Sequence, residues 1–242
     1  MNVFFSSLVV LVVLVIGYSI FSFFRIQGLI RESRVLVRGS IPYQRATIPE
    51  APKVLFVGDS TGAGVGAPRP EESLAGRFGA EHPDWNVDNL SVSGRKTAEV
   101  LPVLKSLGAE QYEQVVVQIG GNDITHFTDT VMLEADILAV LEEAKRVGEH
   151  VTLLSCGNVA SALLFPRPLA FLWERRTLLV RDMFMRAASK QGVTYFDLYR
   201  DKKTDPFFLE PYRYHASDLF HPSGEGYGLW YENFKKSTVI KP

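Results

Sequence analysis

Apolar residues are distributed along this chain in two ways. Residues 1–24 contain no charged side chain and include the unbroken run Leu8-Val-Val-Leu-Val-Val-Leu-Val-Ile16. Beyond residue 50, short β-rich runs alternate with stretches whose apolar positions recur every three or four residues. The runs are Val54–Val57, Trp85–Leu90, Val115–Ile119, Val151–Ser155 and Val193–Asp197. The clearest helical stripe spans Val131–Val147, with Leu133, Ile137, Leu141 and Ala144 on one face and Gly148 as its stop. Further helices are predicted over about Leu169–Gln191 and near Glu225–Lys236. Strands alternating with helices predict a parallel sheet covered on both faces, an α/β fold. Such sheets bind ligands at the carboxyl ends of their strands, so the residues after each strand are where chemistry is expected.

The N-terminal run has a different meaning. As a helix, 24 residues at about 1.5 Å each reach roughly 36 Å, more than a hydrocarbon core of about 30 Å. No Lys or Arg precedes the run and no small-x-small site follows it, which argues against a cleaved leader. The stretch is apolar on every side, which argues against a core helix. The expectation is a single-pass transmembrane anchor over residues 1–24. Residues 25–50 carry Arg25, Arg31, Arg34, Arg38 and Arg45 against Glu32 and Glu50, a basic juxtamembrane linker of net charge +3. Arginines after the anchor and none before it favour a cytoplasmic domain, although they could equally neutralise anionic headgroups. Residues 51–242 form the remaining domain.

Composition narrows the function. The 242 residues hold 26 Lys+Arg and 27 Asp+Glu, so no chain-wide basic excess points to nucleic acid. At 46% hydrophobic and 22% charged, the chain is not a disordered one. Its single cysteine, Cys156, excludes an internal disulfide and any CxxC metal or redox site, and is read as a small buried hydrophobe.

The first strand leads into Gly58-Asp59-Ser60-Thr61-Gly62-Ala63-Gly64-Val65-Gly66-Ala67. Gly62-x-Gly64-x-x-Ala67 matches a relaxed dinucleotide fingerprint, but it begins five residues past Val57, and Pro68 and Pro70 stand where the phosphate-binding helix should be running. Gly58-x-Ser60-x-Gly62 satisfies the nucleophile-elbow pattern, yet that elbow follows several strands and here only one precedes it. The third reading takes Ser60 as a nucleophile at the first strand end, which needs a base for its proton and donors for the oxyanion. Later strand ends supply candidates. Ser91-Val92-Ser93-Gly94 offers the Gly94 backbone N–H, and Gly120-Gly121-Asn122-Asp123 offers the Asn122 side-chain amide. Before the last helix, Asp218-Leu219-Phe220-His221 places an acid and an imidazole three residues apart.

Taken together and in this order, these blocks resemble the SGNH (GDSL) hydrolase family over residues 51–242. The resemblance implies a three-layer αβα sandwich with a five-stranded parallel sheet, and serine ester hydrolysis without metal or organic cofactor. It implies Ser60 as nucleophile, His221 as base and Asp218 as its orienting acid. The Ser60 and Gly94 backbone N–H groups and the Asn122 amide would form the oxyanion hole. Thr61-Gly62-Ala63-Gly64 departs from the bulkier residue that many members carry after the serine. That departure bears on the shape of the leaving-group side.

His126 and His215 are read as surface histidines, and Asp59 as a brace for the nucleophile turn. Two apolar stretches, Ala162–Trp173 and the aromatic run from Phe207 to Phe220, are read first as core, with an acyl-pocket or membrane-contact role open for Ala162–Trp173. The leading expectation is a membrane-anchored serine esterase acting on an acyl or acetyl ester of a lipid or carbohydrate. The same residues would serve an acyltransferase, and a silent binding module could keep the fold.

Overall fold

In a computed structural model, residues 2–46 and 48–237 are described. Met1, Thr47 and residues 238–242, which the anchor, linker and domain boundaries include, lie outside them. A helix α1 (Asn2–Gly39) leads into β1 (Lys53–Gly58), α2 (Leu74–Glu81), β2 (Asn86–Asn89), α3 (Val100–Ser106) and β3 (Tyr112–Gln118). Then follow α4 (Gly121–Thr125), α5 (Thr130–Val147), β4 (Gly148–Leu154), α6 (Ala170–Gln191) and β5 (Thr194–Phe196). Two single turns, α7 (Pro206–Leu209) and α8 (Pro211–Tyr214), precede α9 (Gly224–Ser237).

The strands pair in the order β2-β1-β3-β4-β5, all parallel. Successive side chains of a strand point to opposite faces, so β1 contributes Val54 and Phe56 to one core and Leu55 and Val57 to the other. One layer is closed by Leu133, Ile137 and Leu141 of α5 and Phe184 of α6, the other by Leu74 and Phe78 of α2 and Tyr227 and Trp230 of α9. This is the expected three-layer αβα sandwich. At Gly148 helix passes straight into strand, because a Cβ there would stand 2.4 Å from Val115 Cγ2. Strand order reverses between β1 and β3, and the crevice beyond their carboxyl ends is the binding position of such sheets.

The apolar N-terminal segment is helical, and its most apolar window has mean hydropathy 2.5 with none of it buried. The helix does not end at Phe24, where the basic linker was expected to begin; it runs on to Gly39. From Ile26 a half-buried stripe recurs at Leu29, Ile30, Ser33, Leu36 and Val37, a helical period that keeps this half against the domain. Arg25 Nη2 donates to the Leu163 carbonyl (2.6 Å), Ser217 Oγ donates to Glu32 (2.7 Å), and Ser40 Oγ donates to the Ala63 carbonyl (3.3 Å). Arg45 is not free for lipid: its guanidinium donates to the carbonyls of Gly79, His82 and Trp85.

Candidate active site

At the end of β1, Gly58 lies so close to β3 that a Cβ would sit 1.8 Å from the Gln118 carbonyl oxygen. The chain then turns at Asp59-Ser60. Asp59 Oδ1 accepts the Thr61 N–H (2.9 Å) and hydroxyl (2.7 Å), so the buried carboxyl braces the turn as expected. Burial pushes the Asp59 carboxyl above its ordinary pKa, and the Thr61 bonds offset only part of that.

The glycines after Ser60 do not cradle a dinucleotide. Gly64 and Gly66 take positive φ of 81° and 94°, and a Cβ on Gly66 would stand 2.3 Å from the Pro222 carbonyl and 3.2 Å from His221 Cβ. They let the loop after Ser60 slide under the segment that carries His221. Tyr227 Oη seals the contact by donating to the Val65 carbonyl (2.9 Å).

That segment is itself a tight turn. Asp218 Oδ1 accepts the backbone N–H groups of Phe220 and His221 at 3.0 Å each. Leu219 is held at φ 54°, a left-handed conformation that costs a non-glycine residue about 1–2 kcal/mol. The second oxygen, Oδ2, lies 2.6 Å from His221 Nδ1, and His221 Nε2 lies 3.0 Å from Ser60 Oγ. A carboxylate only accepts, so Nδ1 carries the proton and Nε2 is left to accept from the Ser60 hydroxyl. Burial opposes the charge on Asp218, but the bonds from His221 and the two backbone donors outweigh it and hold its pKa below the ordinary value. Ser60, Asp218 and His221 are all buried.

Asn122, at the start of α4, lines the same pocket as Ser60 and His221. Its Nδ2 donates to the Arg95 carbonyl (3.1 Å), which orients the amide and leaves its second N–H uncommitted by that bond. Gly94 is not among the pocket walls; it sits one residue before Arg95 at φ 85°, with open space where a Cβ would be. The pocket encloses roughly 620 Å³, counting the part open to solvent.

Its other walls include residues the sequence reading did not single out: Asn158, Ser161, Asp205 and Trp230. Asn158 and Ser161 follow β4, the strand end at which only Cys156 had been weighed. Burial pushes the Asp205 carboxyl up to about 6. Cys156, read as buried, is partly exposed and borders the pocket, with its thiol pushed up by desolvation. His215 was expected at the surface and is buried instead. Its Nδ1 faces the Pro211 carbonyl (3.1 Å), its Nε2 faces Ser161 Oγ (3.3 Å), and Phe207 packs on its ring. Burial lowers the His215 pKa to about 4, so the ring is neutral, and a carbonyl stands where His221 has a carboxylate. His126 is exposed and faces its own helix, with Nδ1 2.8 Å from the Asn122 carbonyl. Among the described residues no cluster of His, Cys, Asp or Glu could hold a metal ion.

Known proteins share this fold. Esterase TesA of Pseudomonas aeruginosa is 32% identical over 108 residues, covering 43% of this chain and 54% of that protein. The chain thus matches about half the length of that relative. Among solved structures, TesA superimposes with a TM-score of 0.60 at 22% identity, covering 76% of this chain and 97% of that one. A lipolytic protein of the G-D-S-L family from Veillonella parvula superimposes with a TM-score of 0.64 at 15% identity, covering 78% and 100%. At those identities the superpositions speak for the fold. Family membership rests on the sequence: residues 56–229 match the GDSL-like lipase/acylhydrolase family, and the chain belongs to it.

Proposed function

We propose that this protein is a membrane-anchored serine esterase that cleaves an acyl ester through Ser60, His221 and Asp218. One observation carries the reading: Ser60 Oγ, the His221 ring and the Asp218 carboxylate form a continuous hydrogen-bonded chain, with contacts of 3.0 and 2.6 Å. In the first step His221 Nε2 takes the hydroxyl proton as Ser60 Oγ attacks the ester carbonyl. The Asp218 carboxylate stabilises the resulting imidazolium. The Ser60 backbone N–H and the second Asn122 N–H stabilise the oxyanion, whereas Gly94, the third donor expected, lies outside the pocket walls. His221 then protonates the leaving alcohol, and water releases the acyl group by the reverse sequence. Replacing that water with an acceptor alcohol would make the same site an acyltransferase; no observation favours that course over hydrolysis.

Anchoring is supported by the length and exposure of the α1 apolar segment, and the arginines that follow it favour a cytoplasmic domain. The catalytic reading is tested by ester hydrolysis in two histidine variants. His221→Ala should lower kcat by at least about 10⁴, because nucleophile and base act as a unit. His215→Ala should stay within about tenfold of wild type, since its neutral ring faces Ser161 and no carboxylate. An inversion of that ranking overturns the assignment.

A further inference from the structure

Three features of the surface beside the pocket point to one surrounding. The first is a file of aromatic rings running outward from the site. Phe220 packs edge-on against His221 (4.9 Å) and against Phe165 (6.0 Å), Phe165 stacks on Trp173 (4.2 Å), and Trp173 meets Phe127 (6.1 Å). The file ends at the surface, where Phe127 is 50% exposed, Leu169 45%, Phe171 48% and Leu172 38%. Phe127 is thus linked through Trp173 and Phe165 to Phe220 of the pocket wall, and large apolar side chains left in solvent beside that link mark a surface meant for an apolar partner.

The second feature is charge. Residues 156–173 carry one charged side chain, Arg167. Arg25 of α1 acts on it: partial burial and then the Arg25 charge both lower the Arg167 pKa. Neither arginine has an acidic partner among the described residues. Tyr212, 78% exposed, also lies within electrostatic range of Arg167. Arginine and tyrosine flanking an apolar surface are the composition found at the level of lipid headgroups.

The third feature is height. Residues 5–21 of α1 are exposed throughout, a length of about 26 Å at 1.5 Å per residue, close to a hydrocarbon core. Domain contact begins at the next turn, where Arg25 donates to the Leu163 carbonyl at 2.6 Å. Leu163, which opens the segment leading into α6, is therefore tied to α1 at the turn where the helix ceases to be exposed.

We propose that the face formed by Phe127, Leu169, Phe171 and Leu172, with Arg25 and Arg167, lies against the bilayer that α1 enters, and that the pocket takes acyl esters of membrane lipids directly from it. The arginines contact lipid phosphates, and the aromatic file conducts the acyl chain from the bilayer edge to Ser60. This rests on the esterase reading and names its substrate class.

The test uses the full chain reconstituted in phosphatidylcholine/phosphatidylglycerol vesicles, with two substrates: a fluorogenic phospholipid acyl ester held in the bilayer and water-soluble p-nitrophenyl butyrate. The double variant Phe171→Ser/Leu172→Ser, and separately Arg167→Ser, should lose about tenfold on the bilayer ester, as expected for weakened apolar and headgroup contact. Hydrolysis of the soluble ester should stay within about twofold of wild type, because none of the three lines the pocket. Equal losses on both substrates, or no loss on either, overturn the docking proposal. A wild type inactive on both substrates overturns the esterase reading beneath it. A second measurement does not depend on turnover: phospholipids brominated on their acyl chains should quench tryptophan emission in the wild type and much less in Trp173→Phe. Absence of quenching in the wild type places the face away from lipid and refutes the proposal.

Discussion

Replacing Gly66 with alanine should damage the site without touching any reacting group. Gly66 is held at φ 94°, where an L-residue loses about 1–2 kcal/mol. Its new Cβ would stand 2.3 Å from the Pro222 carbonyl oxygen and 2.9 Å from Ala216 Cβ. Ordinary C···O contacts begin near 3.3 Å, so the 216–222 segment must retreat by about 1 Å. Overpacking of this kind costs about 1–3 kcal/mol, for a total of about 2–5 kcal/mol. In a chain of this length that lowers Tm by about 4–20 °C. The retreating segment carries His221, and a displacement of about 1 Å from the Ser60 hydroxyl should cost about 10²-fold in kcat. Gly108→Ala supplies the control: its φ is 59°, but no heavy atom lies within 4 Å of a Cβ there. That variant should pay only the backbone term and keep its kcat. Thermal melts and ester hydrolysis on the detergent-solubilised full chain read both quantities. A Gly66→Ala protein that melts within about 2 °C of wild type and keeps most of its kcat would refute the claim that this glycine sets the position of His221.

Asn122→Ala should lower kcat by about 10²–10³ with KM nearly unchanged, as for loss of one preorganised oxyanion donor. A change confined to KM would make Asn122 a substrate-binding residue instead. Asp205→Asn probes the buried carboxyl, whose folded pKa of about 6 lies above its unfolded value of about 3.9. The stability contributed by the protonated form is full below about pH 4 and is lost as pH rises through 6. Asparagine keeps the oxygen that accepts the Phe207 N–H and has no charge to bury. The variant should therefore be more stable than wild type at pH 8, by about 3 kcal/mol at most, and gain nothing at pH 4. An equal difference in Tm at both pH values would contradict that sign.

Each predicted run overlaps a strand; the central β1 and β3 were legible because a parallel strand buried on both faces reads as a nearly continuous apolar run, whereas the edge strands β2 and β5 were found from shorter, mixed β-rich runs. The strand boundaries were not legible. β3 begins three residues before Val115 because Tyr112 and Gln114 are buried as polar partners, Tyr112 Oη donating to Asp88 (3.0 Å) and Gln114 Nε2 to Thr152 (3.0 Å). Hydropathy does not register such residues. α2 was not predicted: Gly76 and Gly79 interrupt its apolar stripe, and in the fold each glycine admits a close neighbour, the Pro70 carbonyl and the Tyr43 ring. The helical stripe in residues 25–39 was hidden beneath its arginines. At the site, strand-end reasoning picked out Ser60, Gly94 and Asn122, of which Ser60 and Asn122 line the pocket, and the acid–imidazole spacing before the last helix picked out Asp218 and His221; the fold brings Ser60 and His221 together across 161 residues. The burial of His215 and the inward position of Asp205 depend on the turns between β5 and α9, which carry no periodic signal.

The central claim is that Ser60 is the nucleophile, and covalent trapping tests it most directly. A fluorophosphonate probe incubated with the full chain, followed by digestion and mass spectrometry, should place a single adduct on the peptide that contains Ser60. Ser60→Ala should take no label, and His221→Ala should label far more slowly because the hydroxyl has lost its base. The buried Ser161–His215 pair, 3.3 Å apart in the same pocket, supplies the rival outcome. An adduct on Ser161, an adduct that persists in Ser60→Ala, or no adduct on the wild type would contradict the account.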